Sequence, residues 1–338
     1  MINVGIAGYG YWGPNLARAV GEAGNARLVM VADRDENACA RAAQRHPTVR
    51  TTRDIGAMID DPAVDAVMIA TPVSTHFPLA LAALRAGKHV LVEKPMADRP
   101  DHAATLVDEA ARRKLVLMVD HTFVYTGAVQ KIAEIVETGQ LGDIYYYDST
   151  RVNLGLFQRD VNVIWDLAVH DFAIMDRIFV SQPVAISAGA AGFLDGSPEN
   201  MAHLSVYYDD GAMAHLNVNW LAPVKIRQTL IGGSRLMVIY DDMQTSEKVK
   251  IYDRGAANGA DPYERMVSYR LGEMRAPVIS TKEALVTEMQ EFMRCIETGT
   301  RPITDGESGL RVVELLAAGA RSCAMRGRPV ELALPKVA

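Results

Sequence analysis

The most constraining feature of this chain is a passage from an apolar run, Ile2 to Ala7, through Gly8-Tyr9-Gly10-Tyr11-Trp12-Gly13 and straight into a helical pattern beginning at Pro14. A strand that turns directly into a helix, with glycines at these spacings, can lay bare backbone against a pyrophosphate. Gly8 permits the tight turn, Gly10 removes the side chain where phosphate must approach, and Gly13 lets the helix pack close to the strand. The phosphate then faces unpaired N–H groups and the positive end of the helix dipole. Glycine-rich turns recur by chance, so the pattern needs context. A second strand, Leu28 to Ala32, ends at Asp33, twenty positions after Gly13. A carboxylate there can accept both hydroxyls of an adenosine ribose and repels a 2′-phosphate, which favours NAD over NADP. Arg34 leaves NADP open, because a guanidinium beside that carboxylate can hold the extra phosphate. Without the glycine pattern upstream, Asp33 would read as a helix N-cap or turn residue.

The regular grammar continues with apolar strands at Ala66 to Ala70, His89 to Val92 and Leu115 to Val119. Helical patterns separate them around Ala38 to Arg45, Phe77 to Ala86 and His102 to Arg113. Apolar strands alternating with amphipathic helices imply right-handed crossovers and a parallel sheet covered on both faces. Residues 1–120 are therefore expected to form a Rossmann dinucleotide-binding domain, with ligands at the carboxyl ends of its strands.

Past Asp120 the pattern changes. A helix from about Ala128 to Thr138 leads into a tyrosine-rich, β-branched stretch, Ile144 to Val152. The runs Ala202 to Tyr208 and Ala212 to Leu221 flank Asp209-Asp210-Gly211, while Lys225 to Ile231 and Arg235 to Tyr240 flank Gly232-Gly233-Ser234. Both are hairpin signals, and consecutive hairpins build an antiparallel sheet. Two helical patterns close the chain, Lys282 to Glu297 and Gly306 to Met325, and Arg254 to Pro277 reads as a loop excursion. The fold class expected is α/β, with an α+β domain at 121–338 carrying a large, mostly antiparallel, open-faced sheet. Alternating apolar residues on that sheet, Leu216, Val218 and Trp220, would need covering, which predicts pairing of subunits into a homodimer or homotetramer.

Composition excludes several classes of partner. A net charge of −6 with no dense run of Lys and Arg argues against nucleic acid. No apolar span approaches the roughly 20 residues needed to cross a bilayer, so no membrane partner is expected. The opening residues lack a basic segment followed by an apolar stretch, and the cysteines Cys39, Cys295 and Cys323 form no C-x-x-C pair. Reduced cysteines in a cytoplasmic protein are the corresponding expectation.

Chemistry is expected where the two domains meet, and two clusters stand out. Glu93-Lys94-Pro95 follows a buried strand at its carboxyl end, so Lys94 is either a solvated charge or a cation aimed into the cleft. Pro95 fixes the backbone direction and permits a cis peptide. The second cluster is Trp165-Asp166-Leu167-Ala168-Val169-His170-Asp171, read as helix, in which Asp166 and His170 are four apart and share a face. A carboxylate and an imidazole in apolar surroundings need partners. They form a self-satisfying pair or cap, or a catalytic pair; zinc is disfavoured because no third ligand lies nearby and H-E-x-x-H is absent, so no metal is expected.

These residues resemble the glucose-fructose oxidoreductase and inositol dehydrogenase (Gfo/Idh/MocA) family over essentially the whole length. The likeness is carried by the Gly8 to Gly13 fingerprint, Thr71-Pro72 with His76, Glu93-Lys94-Pro95, the Asp166 to His170 spacing, and Thr300-Arg301-Pro302-Ile303-Thr304-Asp305-Gly306. Gly8 through Asn15, together with Asn153-Leu154-Gly155-Leu156-Phe157, resemble a branch associated with nucleotide-sugar dehydrogenases. The resemblance implies an NAD(P)-dependent oxidoreductase that moves a hydride between nicotinamide and a secondary alcohol of a sugar, nucleotide sugar or polyol. His170 would be the general base, Lys94 would hydrogen-bond the same oxygen, and Asp166 would orient His170 or relay its proton. Glu93 would anchor the nicotinamide ribose, while Thr71, Pro72 and His76 would line the cofactor cleft. Polar candidates for substrate recognition are His121, Tyr125, Arg151, Asn153, Gln158 and Asn162. Arg151 would either bind a substrate anion or form a surface ion pair. Two rival readings are a redox-neutral NAD-dependent glycosidase and a non-catalytic dinucleotide-binding regulator.

Overall fold

A computed structural model describes residues 1–155, 161–257 and 268–332. In chain order the first elements are β1 (Ile2–Ala7), α1 (Gly13–Glu22), β2 (Ala26–Ala32), α2 (Glu36–Arg45), β3 (Arg50–Thr52), α3 (Ile55–Asp60), β4 (Ala66–Ile69), α4 (His76–Arg85), β5 (His89–Glu93), α5 (Pro100–Arg113) and β6 (Leu117–Asp120). They are followed by α6 (Gly127–Glu137), β7 (Ile144–Leu154), α7 (Val169–Ile178), β8 (Pro183–Ala191), β9 (Met201–Tyr208), β10 (Met213–Asn219), β11 (Leu221–Gly233) and β12 (Met237–Asp241). The remainder is β13 (Val249–Ala257), β14 (Ser268–Arg275), α8 (Ala284–Thr298), α9 (Gly306–Ala324) and β15 (Val330–Glu331).

The chain divides into two compact units, one of Met1–Thr126 with Lys282–Glu314 and one of Gly127–Thr281 with Leu315–Ala338. The stretch Lys282–Glu314, expected with the second domain, thus clusters with the first. There, Gly309 sits where a Cβ would come within 2.6 Å of Val119 and 3.0 Å of Met96. An isolated bridge also joins Asp305 to Met118.

The first unit is a parallel sheet of order β3-β2-β1-β4-β5-β6, the doubly wound arrangement with its reversal between β1 and β4. Val4, Ile6, Val67, Met68, Ile69, Val90, Leu91 and Val92 are fully buried, as befits strands covered on both faces.

The second unit holds a nine-stranded sheet of order β14-β13-β12-β11-β7-β10-β9-β8-β15. The hairpins β9–β10 and β11–β12 turn at the two glycine-bearing signals. Every pairing is antiparallel except β7 with β10, which run parallel because α7, β8 and β9 intervene between them. In its described residues the expected loop at Arg254 to Pro277 is instead largely strand, since β13 and β14 pair there and extend the sheet edge. The argument for oligomerisation from Leu216, Val218 and Trp220 also fails. All three are at most 2% exposed within the single chain, because β10 packs that face against the turn Ile164–Ala168. Among the described residues no helix is long and apolar enough to cross a membrane.

Candidate active site

The carboxyl edge of the parallel sheet gathers most of the first unit's candidates. Gly8 adopts φ +94°, and a Cβ there would lie 2.5 Å from the Ala70 carbonyl oxygen, so only glycine makes this turn. A Cβ on Gly13 would meet the Gly8 carbonyl at 2.3 Å, which explains the close seating of α1 on β1. Gly10 differs: among the described residues nothing beyond its own chain neighbours lies within 4 Å of its Cβ position. Packing does not demand glycine there, whereas close approach of a phosphate would. A pyrophosphate of NAD therefore fits this turn, with the first N–H groups of α1 as donors.

Asp33 stands at the end of β2 and holds the turn in place. Its Oδ2 accepts from Tyr9 N at 2.6 Å and its Oδ1 from Asp35 N at 2.9 Å. Each oxygen keeps a further lone pair for a ribose hydroxyl. Arg34 beside it is exposed. The three aromatics of the turn divide their work. Tyr9 is 1% exposed, with its hydroxyl 3.1 Å from His46 Nε2 and its ring edge-on to that imidazole, so its side chain is core. Tyr11 is exposed and stacks on Trp12. Trp12 donates through Nε1 to Asp120 Oδ2 at 2.7 Å, tying the glycine turn to the end of β6.

His76 joins two neighbouring strand ends. The buried ring has Nδ1 2.9 Å from the Pro95 carbonyl and Nε2 2.7 Å from the Thr71 carbonyl. It therefore clamps Thr71-Pro72 after β4 to the Lys94–Pro95 turn after β5, whose peptide is cis. Thr71 also accepts from the Thr75 hydroxyl at 2.7 Å. Glu93 and Asp120 end adjacent strands in register, and Glu93 Oε2 accepts from Lys94 N at 2.8 Å. Burial first, and then the Asp120 charge, push the Glu93 carboxyl well above the usual range. His121 and Tyr125 lie just beyond β6, at 1% and 3% exposure. The Tyr125 hydroxyl is 3.1 Å from that of Thr304, which in turn donates to the Val119 carbonyl at 2.8 Å. Tyr125 thus braces the sheet against α9's approach rather than offering its hydroxyl to a substrate.

In the second unit, Asp166 and His170 sit differently from a simple helical pair. Ile164–Ala168 is a π-helical turn that runs into α7, so Asp166 belongs to the π turn and His170 to the first turn of α7. Bonds in a π turn run i to i+5, and such turns recur at functional sites. Asp166 Oδ2 accepts from Trp220 Nε1 at 3.1 Å. Asn153 lies on β7 beside the same tryptophan: a Cβ on Gly155 would be 2.9 Å from Asn153 Nδ2 and 3.3 Å from Trp220 Cδ1.

Two other substrate candidates are engaged elsewhere. Asn162 caps the π turn, its Oδ1 accepting from Ile164 N and Trp165 N at 3.2 Å each, while its amide donates to Glu199. Arg151 is 4% exposed and donates through Nε to Asp171 Oδ2 at 2.8 Å, so it is neither a surface ion pair nor an open anion receptor. Gln158 lies outside the described residues. Among those residues no group of three or more His, Cys, Asp or Glu could hold a metal ion.

Two family models cover most of the chain. One, described as an oxidoreductase family with an NAD-binding Rossmann fold, matches residues 2–121, and the GFO/IDH/MocA C-terminal domain matches residues 129–239. The chain belongs to the GFO/IDH/MocA family. As a member it is an NAD-binding oxidoreductase that works by hydride transfer. It is 29% identical over 259 residues to a UDP-N-acetylglucosamine 3-dehydrogenase of Acidithiobacillus ferrooxidans, covering 74% of this chain and 76% of the relative. The solved structure of a UDP-N-acetylglucosamine 3-dehydrogenase from that organism matches at TM-score 0.80 and 26% identity over 96% of this chain and 97% of the other. An inositol 2-dehydrogenase of Rhizobium meliloti is 26% identical over 338 residues, covering 96% of this chain and 97% of the relative.

Within this GFO/IDH/MocA chain, three groups at or beside the candidate residues were given no role from the sequence. Asp120 was visible only as the place where the strand–helix grammar stops, although its position at a strand's carboxyl end marks it as a ligand-edge residue. Glu288 on α8 is 0% exposed, an acid set into the apolar face formed by Leu285, Met289 and Phe292. Asp171 is likewise 0% exposed and accepts from Tyr147, Ser149 and Arg151.

Proposed function

We propose that this enzyme interconverts a secondary alcohol and a ketone on a sugar or polyol ring, with a nucleotide-linked sugar as the favoured class. What carries this reading is the set of groups on one sheet edge: an open glycine at Gly10, a ribose-type carboxylate at Asp33, and Glu93-Lys94 at the end of β5. The first two fit the pyrophosphate and adenosine ribose over β1 and β2. The nicotinamide half of an extended dinucleotide then falls over β4 to β6, at the strand ends that carry Thr71, Glu93, Lys94 and Asp120. The relatives support the substrate class, since two with full-length likeness are named an inositol 2-dehydrogenase and a UDP-N-acetylglucosamine 3-dehydrogenase.

When bound, NAD supplies the hydride acceptor. Lys94 supplies a fixed positive charge for the negative charge that develops on the substrate oxygen. His170 takes the hydroxyl proton, a role suited to an imidazole at neutral pH. Asp166, held by Trp220, acts as a positioning group for the π turn on which the His170 helix begins.

The test is a screen of NAD and NADP reduction against inositols, free sugars and uridine- or thymidine-linked sugars, with released sugar followed in parallel. Net NADH with a nucleotide sugar is the expected outcome; sugar release without NADH would overturn it in favour of a redox-neutral glycosidase. Lys94→Ala and His170→Ala should each lower kcat/KM by about 10² to 10⁴ while the protein still binds NAD. A variant of either kind with near-normal turnover removes that residue from the chemistry.

A further inference from the structure

Beside Lys94 stands a group of three acids, two of them buried and Glu93 half-buried, that hydride transfer does not itself require. Glu93 and Asp120 close adjacent parallel strands, and Glu288 reaches the same place from α8. Asp120 is 2% exposed and Glu288 0%. The donors are unequally shared. Asp120 receives Trp12 Nε1 on Oδ2 at 2.7 Å and the Thr122 hydroxyl on Oδ1 at 2.5 Å, whereas among the described residues neither carboxyl oxygen of Glu288 makes a hydrogen bond of ordinary geometry. A hydroxyl has one proton, and that of Thr122 is directed to Asp120. Glu288 therefore faces Asp120 across a contact that is attractive only if a proton lies between them, since two ionised carboxylates away from water repel strongly. The other charged or titratable groups around the trio are Lys94 after β5, His121 and Tyr125 after β6, and Glu291 on α8. Lys94 is the cation among them.

We propose that Glu93, Asp120 and Glu288 hold a shared proton whose occupancy is linked to the oxidation state of the bound nicotinamide. The proposal rests on the placement of the nicotinamide half over β4 to β6 given above. The oxidised ring is cationic and the reduced ring is neutral. A more negative trio favours NAD⁺, and a trio that has gained its proton favours NADH. Burial, followed by the charge of Asp120, pushes Glu288 well above the usual carboxylate range, as burial does for Glu93, the direction in which a shared proton is retained. During oxidation of the substrate, the carbinol C–H bond breaks as hydride passes to the nicotinamide, and the hydroxyl proton leaves to the base. The proton taken up by the trio is a separate one, drawn from solvent, and no other oxidant or reductant enters.

The experiment is direct titration of the full chain with NAD⁺ and with NADH, without substrate. From about pH 6 to about pH 9 the preference for NAD⁺ over NADH should grow about three- to tenfold in the wild type, the scale of one charge acting across a partly screened site. In Glu288→Gln, which keeps the shape but cannot ionise, the same range should move the preference less than about twofold. Calorimetry in buffers of different ionisation enthalpy should show proton uptake when NADH replaces NAD⁺. Glu93→Gln at fixed pH separates the two layers of the argument. A wild-type preference that is flat with pH, but still shifted by Glu93→Gln, overturns proton sharing alone. A preference that neither pH nor Glu93→Gln moves overturns the nicotinamide placement as well.

Discussion

Asp171 in the second unit and Glu288 in the first are both 0% exposed, yet the chain treats them in opposite ways. Asp171 is caged by donors: Tyr147 at 3.0 Å, Ser149 at 2.7 Å and Arg151 at 2.8 Å, three residues at alternate positions of β7 that share one face. Burial and the Asp171 charge push the Tyr147 phenol well up, so it stays protonated and donates. Glu288 faces other acids instead, and its burial is relieved by a proton rather than a cation. A buried acid with a full set of donors has been made part of the framework. A buried acid left among acids, at the ligand edge of a parallel sheet, retains the capacity to change charge.

The largest effect that tests this contrast should come from Arg151→Met. It leaves the Asp171 charge buried with only hydroxyl donors, and breaking a buried pair by removing one partner typically costs about 3–5 kcal/mol. Urea unfolding at neutral pH measures it, and adding Asp171→Asn to the same chain should recover a large part of the loss. A cost below about 1 kcal/mol would mean that Arg151 is not committed to Asp171, and would return it to the list of substrate-anion receptors.

How far the sequence displays these two acids differs for a physical reason. The Gly8 to Gly13 turn is legible because its demands are local: a positive φ at Gly8 and a clash at Gly13 are settled within a few residues. The hairpins at Gly211 and at Gly232 to Ser234 are local too, and both appear in the sheet. By contrast β13 and β14 draw their ladder from each other across residues outside the described set, so the glycines and prolines between Arg254 and Pro277 read as a loop. The parallel β7–β10 pair joins strands far apart in sequence, which no hairpin signal announces. Tyr147, Ser149 and Arg151 do carry a period-two signal, but their common target, Asp171, is twenty residues beyond Arg151 and only tertiary packing brings it there. Glu288 left one readable mark, an acid on the apolar stripe of an amphipathic helix. That mark says that the acid is buried and not what it faces.

Glu288→Gln should act on stability in the opposite direction from Arg151→Met. A carboxyl raised in the folded state binds its proton more tightly there than in the unfolded chain, so folding is unpenalised below the ordinary glutamate range near pH 4.5. Stability is then lost as pH climbs from that range toward the raised folded value. The glutamine removes this loss. Relative to wild type it should gain stability with rising pH, by about 1–3 kcal/mol at the alkaline end, the cost of a buried group left without a donor. Denaturant midpoints at several pH values report the difference. A variant less stable than wild type at every pH would show that Glu288 is held as Asp171 is, and the contrast between the two acids would disappear.

The smallest expected effect is the most discriminating, because Trp12 belongs to the cofactor turn and yet donates to Asp120. Trp12→Phe keeps an aromatic ring and removes one hydrogen bond to the buried Asp120 carboxyl. Asp120 keeps the bond from the Thr122 hydroxyl, so the expected loss of stability is about 1 kcal/mol. Its signature lies in the titrations of NAD⁺ against NADH. With one donor fewer on Asp120 the trio holds its proton more firmly, so the pH range over which the cofactor preference changes should move upward while its amplitude remains. A structural role for Trp12 alone would weaken both forms of the cofactor equally and leave that range where it was. An upward displacement would tie the glycine turn, the acids and the redox state of the cofactor into one electrostatic unit, which the donor-filled cage around Asp171 cannot form.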